Sequence, residues 1–384
     1  MHIFWTALFG AIALLWIFES IALVRGVPSM ASLANADPLP DARCPAVSIL
    51  FAARDEAEKL PGALATFLAL DYPRYEVIAV DDRSEDGTGA ILEAAANLDR
   101  RLKRVRIDTL PAGWLGKPHA LEQAYERSSG EWLVFTDADV HFSRDLLRRA
   151  LGLALAREWV HLTLLGVVEV FGAGERMAMI FFGMAFAIGT RPWSASDSES
   201  SGYNGVGAFQ LIRRSTYEAI GTHKRLAMEV VDDMKIGKLV KEGGFRSGAA
   251  TAGDSVRVRW HAGLRNMIRG TTKNFFATSG FKLGVTCAQI FGVLAMCVFP
   301  AAALAFLHSW PRAFDAIAVL VPLIVAGGVA RQLRAPVFLA VTYPVGGLIF
   351  VWMLARSTIV TLWQGGIVWR GTFYPLEELR KGVV

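Results

Sequence analysis

The sequence predicts an α/β fold, a mainly parallel sheet covered by helices, joined to transmembrane helices. Two observations carry this. From residue 45 onward, short continuous apolar runs alternate with helix-patterned segments, as strands buried on both faces and their crossover helices do. The N-terminus and the last hundred or so residues are instead lipid-soluble in character, and the whole chain is 53% apolar with a positive mean hydropathy.

The elements follow in order. Residues 3–24, IFWTALFGAIALLWIFESIALV, are long enough to cross a bilayer core of roughly 30 Å, with Glu19 as their blemish. The start MHIFW lacks the basic region of a signal peptide, so residues 1–25 are expected to stay as an anchor. Arg25 directs the N-terminus outward and the following domain to the cytoplasm. Residues 26–43 read as a plain linker. AVSILFAA, YEVIAVDD, KRVRID and EWLVFTD are four expected strands. EAEKLPGALATFLAL, GTGAILEAAANL and HALEQAYERS are the helices between them. The run MAMIFFGMAFAIG at 177–189 is too brief to span. It suits an interfacial or re-entrant helix and a buried core helix equally well.

Residues 277–355 hold three further apolar runs, at about 284–307, 314–330 and 336–355, and 356–384 reads as an interfacial tail. Arg331 and Arg334 mark a cytoplasmic turn. Four spans would then leave the tail outside, against the preference of Arg370, Arg380 and Lys381, and a re-entrant last segment would reconcile the two.

Formal net charge is +5, with basic residues crowded between 211 and 273 beside the apolar C-terminal region. That placement favours a membrane surface or a phosphate-bearing substrate over nucleic acid. Cys44, Cys287 and Cys297 form neither a disulfide framework nor a zinc spacing, in keeping with a reducing compartment.

Ligands on such sheets bind at the carboxyl ends of the strands, where this chain clusters its polar residues: ARDE, DDRSEDGT and TDADV. Asp81 and Asp82 end the second strand, where they could cap the next helix or accept hydrogen bonds from a nucleotide. Asp137 and Asp139 lie one residue apart and would share a side if extended backbone continued that far. Two hard oxygen ligands at that spacing can hold Mg2+ or Mn2+ against a diphosphate; an acidic turn is the plainer reading. Asp232 and Asp233 open a helix, DDMKIGKLVKEGG, whose dipole favours their ionised form. Lys117, in GWLGKPHAL, occupies a Gly-rich loop before a helix, a place to meet phosphate oxygens or to stand in solvent. Arg259 and Trp260 precede a basic segment that could snorkel toward headgroups.

In order, FAARDE, VDDRSEDGT, GKPHAL, FTDADV, NGVGAFQLIRR, VVDDMKIG and RW resemble the family 2 inverting glycosyltransferases, near the ceramide-glucosyltransferase and hopanoid- or carotenoid-associated branch. The resemblance covers about residues 45–276, and WRGTFY near the C-terminus is of a kind seen there. It implies a GT-A nucleotide-sugar-binding domain over 44–276, a divalent metal (Mg2+ or Mn2+), and a single displacement at the anomeric carbon. By this resemblance Ala53, Arg54 and Glu56 line the nucleotide, and Asp81 and Asp82 hold its base or ribose. Lys117 lies near the nucleotide, Asp137 and Asp139 bind the metal, and Asp233 is the general base with Asp232 its neighbour.

Arg259 and Trp260 match the closing motif, where relatives have Gln or Arg three residues before the Arg-Trp pair and this chain has Val256. The implied partners are a nucleotide-sugar donor, UDP-linked by family default, and a lipid acceptor. The implied location is the inner membrane with the catalytic domain cytoplasmic. Two other readings compete: a processive polysaccharide synthase, against which Val256 and the few spans argue, and a non-catalytic nucleotide-binding membrane scaffold, against which the three intact acidic motifs argue.

Overall fold

The computed structural model describes residues 2–384. The chain forms two compact units. One gathers His2–Ser29 with Glu169–Arg191 and Trp260–Val368; the other gathers Met30–Val168, Pro192–Arg259 and Trp369–Val384.

The second unit is built on nine strands: β1 Ala31–Ser32, β2 Val47–Ala53, β3 Tyr75–Asp82, β4 Leu102–Ile107, β5 Trp132–Phe135, β6 Val140–Phe142, β7 His161–Val168, β8 Gln210–Arg213 and β9 Ser247–Val258. Their order is β1-β9-β7-β8-β5-β2-β3-β4, with β6 on β9. β2, β3, β4 and β5 are mutually parallel, and β8 runs antiparallel to both β5 and β7. Alternation along each strand builds two cores. Ile49, Phe51, Val77, Ala79, Trp132 and Val134 face one; Leu50, Ile78, Val80, Leu133 and Phe135 face the other. Both faces are therefore apolar, which is why the strands read as unbroken hydrophobic runs.

Several boundaries differ from expectation. The first crossover helix begins only at Leu60 and ends at Leu68, because Glu56–Lys59 form turns ahead of the proline at its start. The segment read as a linker is structured. The first helix continues to Ser29, Ala31 and Ser32 pair in parallel with β9, and Leu33 and Leu39 enter the core.

In the other unit, among the described residues, four helices are long and apolar enough to cross a membrane: His2–Ser29, Leu283–Ala303, Ser309–Gln332 and Val337–Gln364. Their outward faces expose Phe4, Leu14, Phe291, Ile324 and Trp363, as lipid-facing surfaces do. The run at 177–189 is part of a longer helix, Ala173–Thr190, whose Ile180, Phe181 and Met184 are buried with Phe9, Trp16 and Tyr343. Glu19 has a partner there: Arg191 donates to it at 2.7 Å, so the charge in the first apolar run is neutralised within the unit.

Candidate functional site

The site is assembled at the carboxyl edge of the sheet, from loops that β2, β3, β5 and β8 bring together. Register explains the convergence. Leu50 lies beside Phe135, Ala53 beside Asp81, and the antiparallel β8 starts with Gln210 opposite Phe135. The segment NGVGA is therefore delivered to the place where β5 ends.

β5 stops at Phe135, and Ala138 and Asp139 form a turn, so Asp137 and Asp139 do not continue the strand's alternation. Their carboxylates diverge to different lysines. Lys117 Nζ donates to Asp137 Oδ1 at 2.7 Å, and Lys59 Nζ to Asp139 Oδ2 at 2.8 Å. The Asp137 side chain is 40% exposed and that of Asp139 18%, which leaves both accessible to a ligand. Among the described residues no group of three or more His, Cys, Asp or Glu is gathered as a complete metal-ligand set. Two carboxylates nonetheless fit an ion such as Mg2+, which keeps several waters and is held by one or two carboxylates plus substrate phosphates.

Lys117 stands at the start of the helix Gly116–Glu126 and faces three carboxylates, Asp137, Asp232 and Asp233. Burial alone would lower its pKa; the carboxylates outweigh this and raise it, so it is a fixed cation. Asp232 and Asp233 form the first turn of the helix Asp232–Glu242, and with Lys117, Thr136, Gly207, Gln210 and His223 they line one small pocket. Asp233 is half-buried, and its carboxyl is raised to about 6 by burial first and then by Asp232, with Lys117 opposing. It therefore titrates closer to neutrality than an ordinary aspartate.

Asp81 and Asp82 are both occupied by protein groups. Asp81 is fully buried, takes Arg106 at 2.5 Å and accepts the Ser84 N–H at 3.2 Å. Asp82 is paired in bidentate fashion with Arg83 at 2.7 and 2.9 Å. Ala53 is buried at the end of β2, and Arg54 lies 4.0 Å from Asp55. Arg259 directly follows β9 and is not among the residues lining the pocket. Trp260 falls in the membrane-type unit, its ring 4.9 Å from that of Phe182. Val256 is fully buried in β9 opposite Phe142, where a Cβ on Gly166 would come within 2.2 Å of its carbonyl oxygen. A Gln or Arg at that position would have to enter the core of this chain.

The glycosyl transferase family 2 model matches residues 48–195. The chain carries a family 2 glycosyl transferase domain. Over 231 residues it is 24% identical to a 4,4'-diaponeurosporenoate glycosyltransferase of Staphylococcus haemolyticus, covering 59% of this chain and 60% of that one. Over 145 residues it is 32% identical to a beta-monoglucosyldiacylglycerol synthase of Synechocystis sp., covering 37% and 29%. The chain thus spans less than two thirds of either relative. Among solved structures, a mannosyltransferase from Pyrobaculum calidifontis in complex with GDP-Man and Mn2+ shares the GT-A fold, with a TM-score of 0.50 and 20% identity over 93% of this chain and 99% of that one.

The glycosyl transferase domain has site features that reading the residues one motif at a time passes over. A Cβ on Gly207 would lie 2.5 Å from Asp137 Oδ2, and one on Gly205 2.0 Å from the Asp233 carbonyl oxygen. Only glycine allows this loop to close on both acidic motifs, and the signal was the spacing in NGVGA. The C-terminal residues also fold onto this unit. Arg370, in a left-handed turn with Gly371, pairs with Glu56, and the Gly116 N–H donates to the Tyr374 hydroxyl at 3.3 Å. The segment assigned to an interfacial tail therefore contributes residues beside Glu56 and Lys117. Its signal was WRGTFY, which local periodicity cannot attach to any strand.

Proposed function

We propose that the protein transfers a sugar, with inversion, from a nucleotide-sugar donor to a hydroxyl of a lipid or lipid-linked acceptor at the membrane. The observation that carries this reading is the single pocket holding Asp233, Asp232 and Lys117, with Asp137 bonded to that lysine. Lys117 would neutralise charge on the departing diphosphate. Asp233 would take the proton from the acceptor hydroxyl as its oxygen attacks the anomeric carbon, and the nucleoside diphosphate leaves from the opposite side. A divalent cation held by Asp137 and Asp139 would supply Lewis-acid stabilisation of the diphosphate charge. In this reading Arg54, Glu56 and Asp82, in the loops after the second and third strands, would meet the nucleotide, with Asp81 holding Arg106 and the Ser84 N–H behind them.

The lipid acceptor is supported by the four apolar helices and by relatives named for a diaponeurosporenoate and a monoglucosyldiacylglycerol. The fold neighbour's GDP-Man and Mn2+ are consistent with a nucleotide sugar and a divalent ion. In this reading the protein lies in the inner membrane with its domain in the cytoplasm, as Arg25 directs. The test is mass spectrometry of lipids from cells with wild-type protein, Asp233→Asn protein or none. A sugar-sized mass on one lipid class in wild type alone supports the proposal. An unchanged lipid profile in all three, or a polymer in place of a glycolipid, sinks it.

A further inference from the structure

Behind the acidic pair lies a buried polar chain that the proposed chemistry does not use. His223 is fully buried, begins a short helical turn at His223–Leu226, and lines the pocket. Its Nδ1 is 2.5 Å from the Tyr217 hydroxyl, and its Nε2 is 3.6 Å from Asp232 Oδ2 with no hydrogen bond completed. Tyr217 is itself fully buried, and its oxygen also accepts the His223 backbone N–H at 2.9 Å and lies 3.4 Å from Glu122 Oε2.

The protons can be counted. The phenol has one hydrogen to give, to Nδ1 at 2.5 Å or to Glu122 at 3.4 Å, and the shorter contact favours Nδ1. A neutral imidazole that accepts at Nδ1 carries its proton on Nε2, and a charged imidazole carries one there as well. In both of these states an N–H points from His223 at Asp232, whereas an Nδ1–H donating to the phenol oxygen, with the phenol donating to Glu122, would leave Nε2 bare.

We infer that His223 is a positioning residue that divides the labour of the two aspartates: its Nε2–H, fixed by Tyr217, engages Asp232 and leaves Asp233 as the carboxylate that meets the acceptor. The inference rests on the proposed transfer reaction. The rings of Phe135 and Tyr217 pack on the imidazole at 5.0 and 5.7 Å between centroids, which limits its reorientation. The separation is 3.6 Å, and a small shift of the first turn would bring the pair within hydrogen-bond reach. Asp232, held in this way, sets the first helical turn, and Asp233 follows from it in register.

Nitrogen-15 histidine NMR of the full chain in detergent micelles tests the geometry without substrate. The chain has seven histidines, and the His223 resonance is found by its loss in His223→Phe. The expected signature is a protonated Nε2 that moves when Asp232 becomes Asn; an Nδ1–H tautomer with bare Nε2 overturns the inference. The kinetic arm offers UDP-glucose, UDP-N-acetylglucosamine and GDP-mannose with a membrane lipid extract, and follows whichever donor the wild type consumes.

His223→Phe keeps an aromatic ring, somewhat larger than imidazole, but deletes both nitrogens. It is expected to lower kcat by up to about 100-fold, with donor KM changed less than about twofold. His223→Gln, which restores a donor near the Nε2 position, is expected to recover most of that loss. Tyr217→Phe should lower kcat as well, although Tyr217 does not line the pocket. Full activity in His223→Phe, or His223→Gln no better than Phe at equal thermal stability, overturns the inference. Transfer retained in Asp233→Asn would instead remove the underlying reaction scheme and leave the tautomer result standing.

Discussion

Asp233 carries the sharpest expectations. Because its carboxyl is raised to about 6, the protein should transfer sugar on a pH profile whose acid limb lies near 6, above the ordinary aspartate range. Asp232→Asn removes a negative neighbour, so ionising Asp233 becomes easier and that limb should move to lower pH. Asp233 is the proposed general base, so Asp233→Asn should cost about 10²–10⁴-fold in kcat with donor binding kept. The sign for stability is opposite. A carboxyl with a raised folded-state pKa binds its proton more tightly in the native state, so stability falls as pH rises from about 4 through 6. Asp233→Asn should therefore raise the melting temperature at neutral pH and do so less at pH 4. His161 shows the complementary case. Burial lowers it to about 4, with Gln210 and Ser247 at 3.0 Å on its two nitrogens, so its contribution is present above about pH 6.5 and lost on acidification.

The loop ahead of β8 and the C-terminal residues each reach the site by a close approach. In Gly207→Ala the new methyl would press on Asp137, which must turn away from Lys117 or from a bound ion. The concentration of Mn2+ giving half-maximal activity should rise about tenfold or more, as for disturbed metal ligands generally. Tyr374→Phe leaves the buried Gly116 N–H without its acceptor, at a cost of about 1–3 kcal/mol measured by chemical unfolding. Arg370→Ala frees Glu56 and should weaken donor binding more than it slows turnover, seen as a raised donor KM. The strands themselves were legible because each is apolar on both faces. The helix boundaries were less so. Turns at Glu56–Lys59 and at Ala138–Asp139 depend on hydrogen bonds and ion pairs to distant loops, such as Glu56 N–H to Thr88 and Lys59 to Asp139.

Across the molecule, an α/β unit and an apolar helical unit are threaded by one chain that passes between them repeatedly. A chelator in excess should abolish transfer, and Mn2+ or Mg2+ should restore it; activity undiminished by chelation would remove the metal from the scheme. The apolar runs, the βα alternation and the three acidic motifs could be read from the chain because burial and strand period impose local patterns. The sequence also showed that the first two acidic motifs fall at strand ends, which is enough to place those two on one edge of a parallel sheet, while the third opens a helix. Which carboxylate meets which cation was decided only by tertiary structure. Asp81 goes to Arg106, Asp82 to Arg83, Asp137 to Lys117 and Asp139 to Lys59, partners separated by anything from one residue to eighty. The same holds for the tail at Glu56 and for His223 behind Asp232, because long-range ion pairs and buried hydrogen bonds follow from packing and leave no period in the sequence.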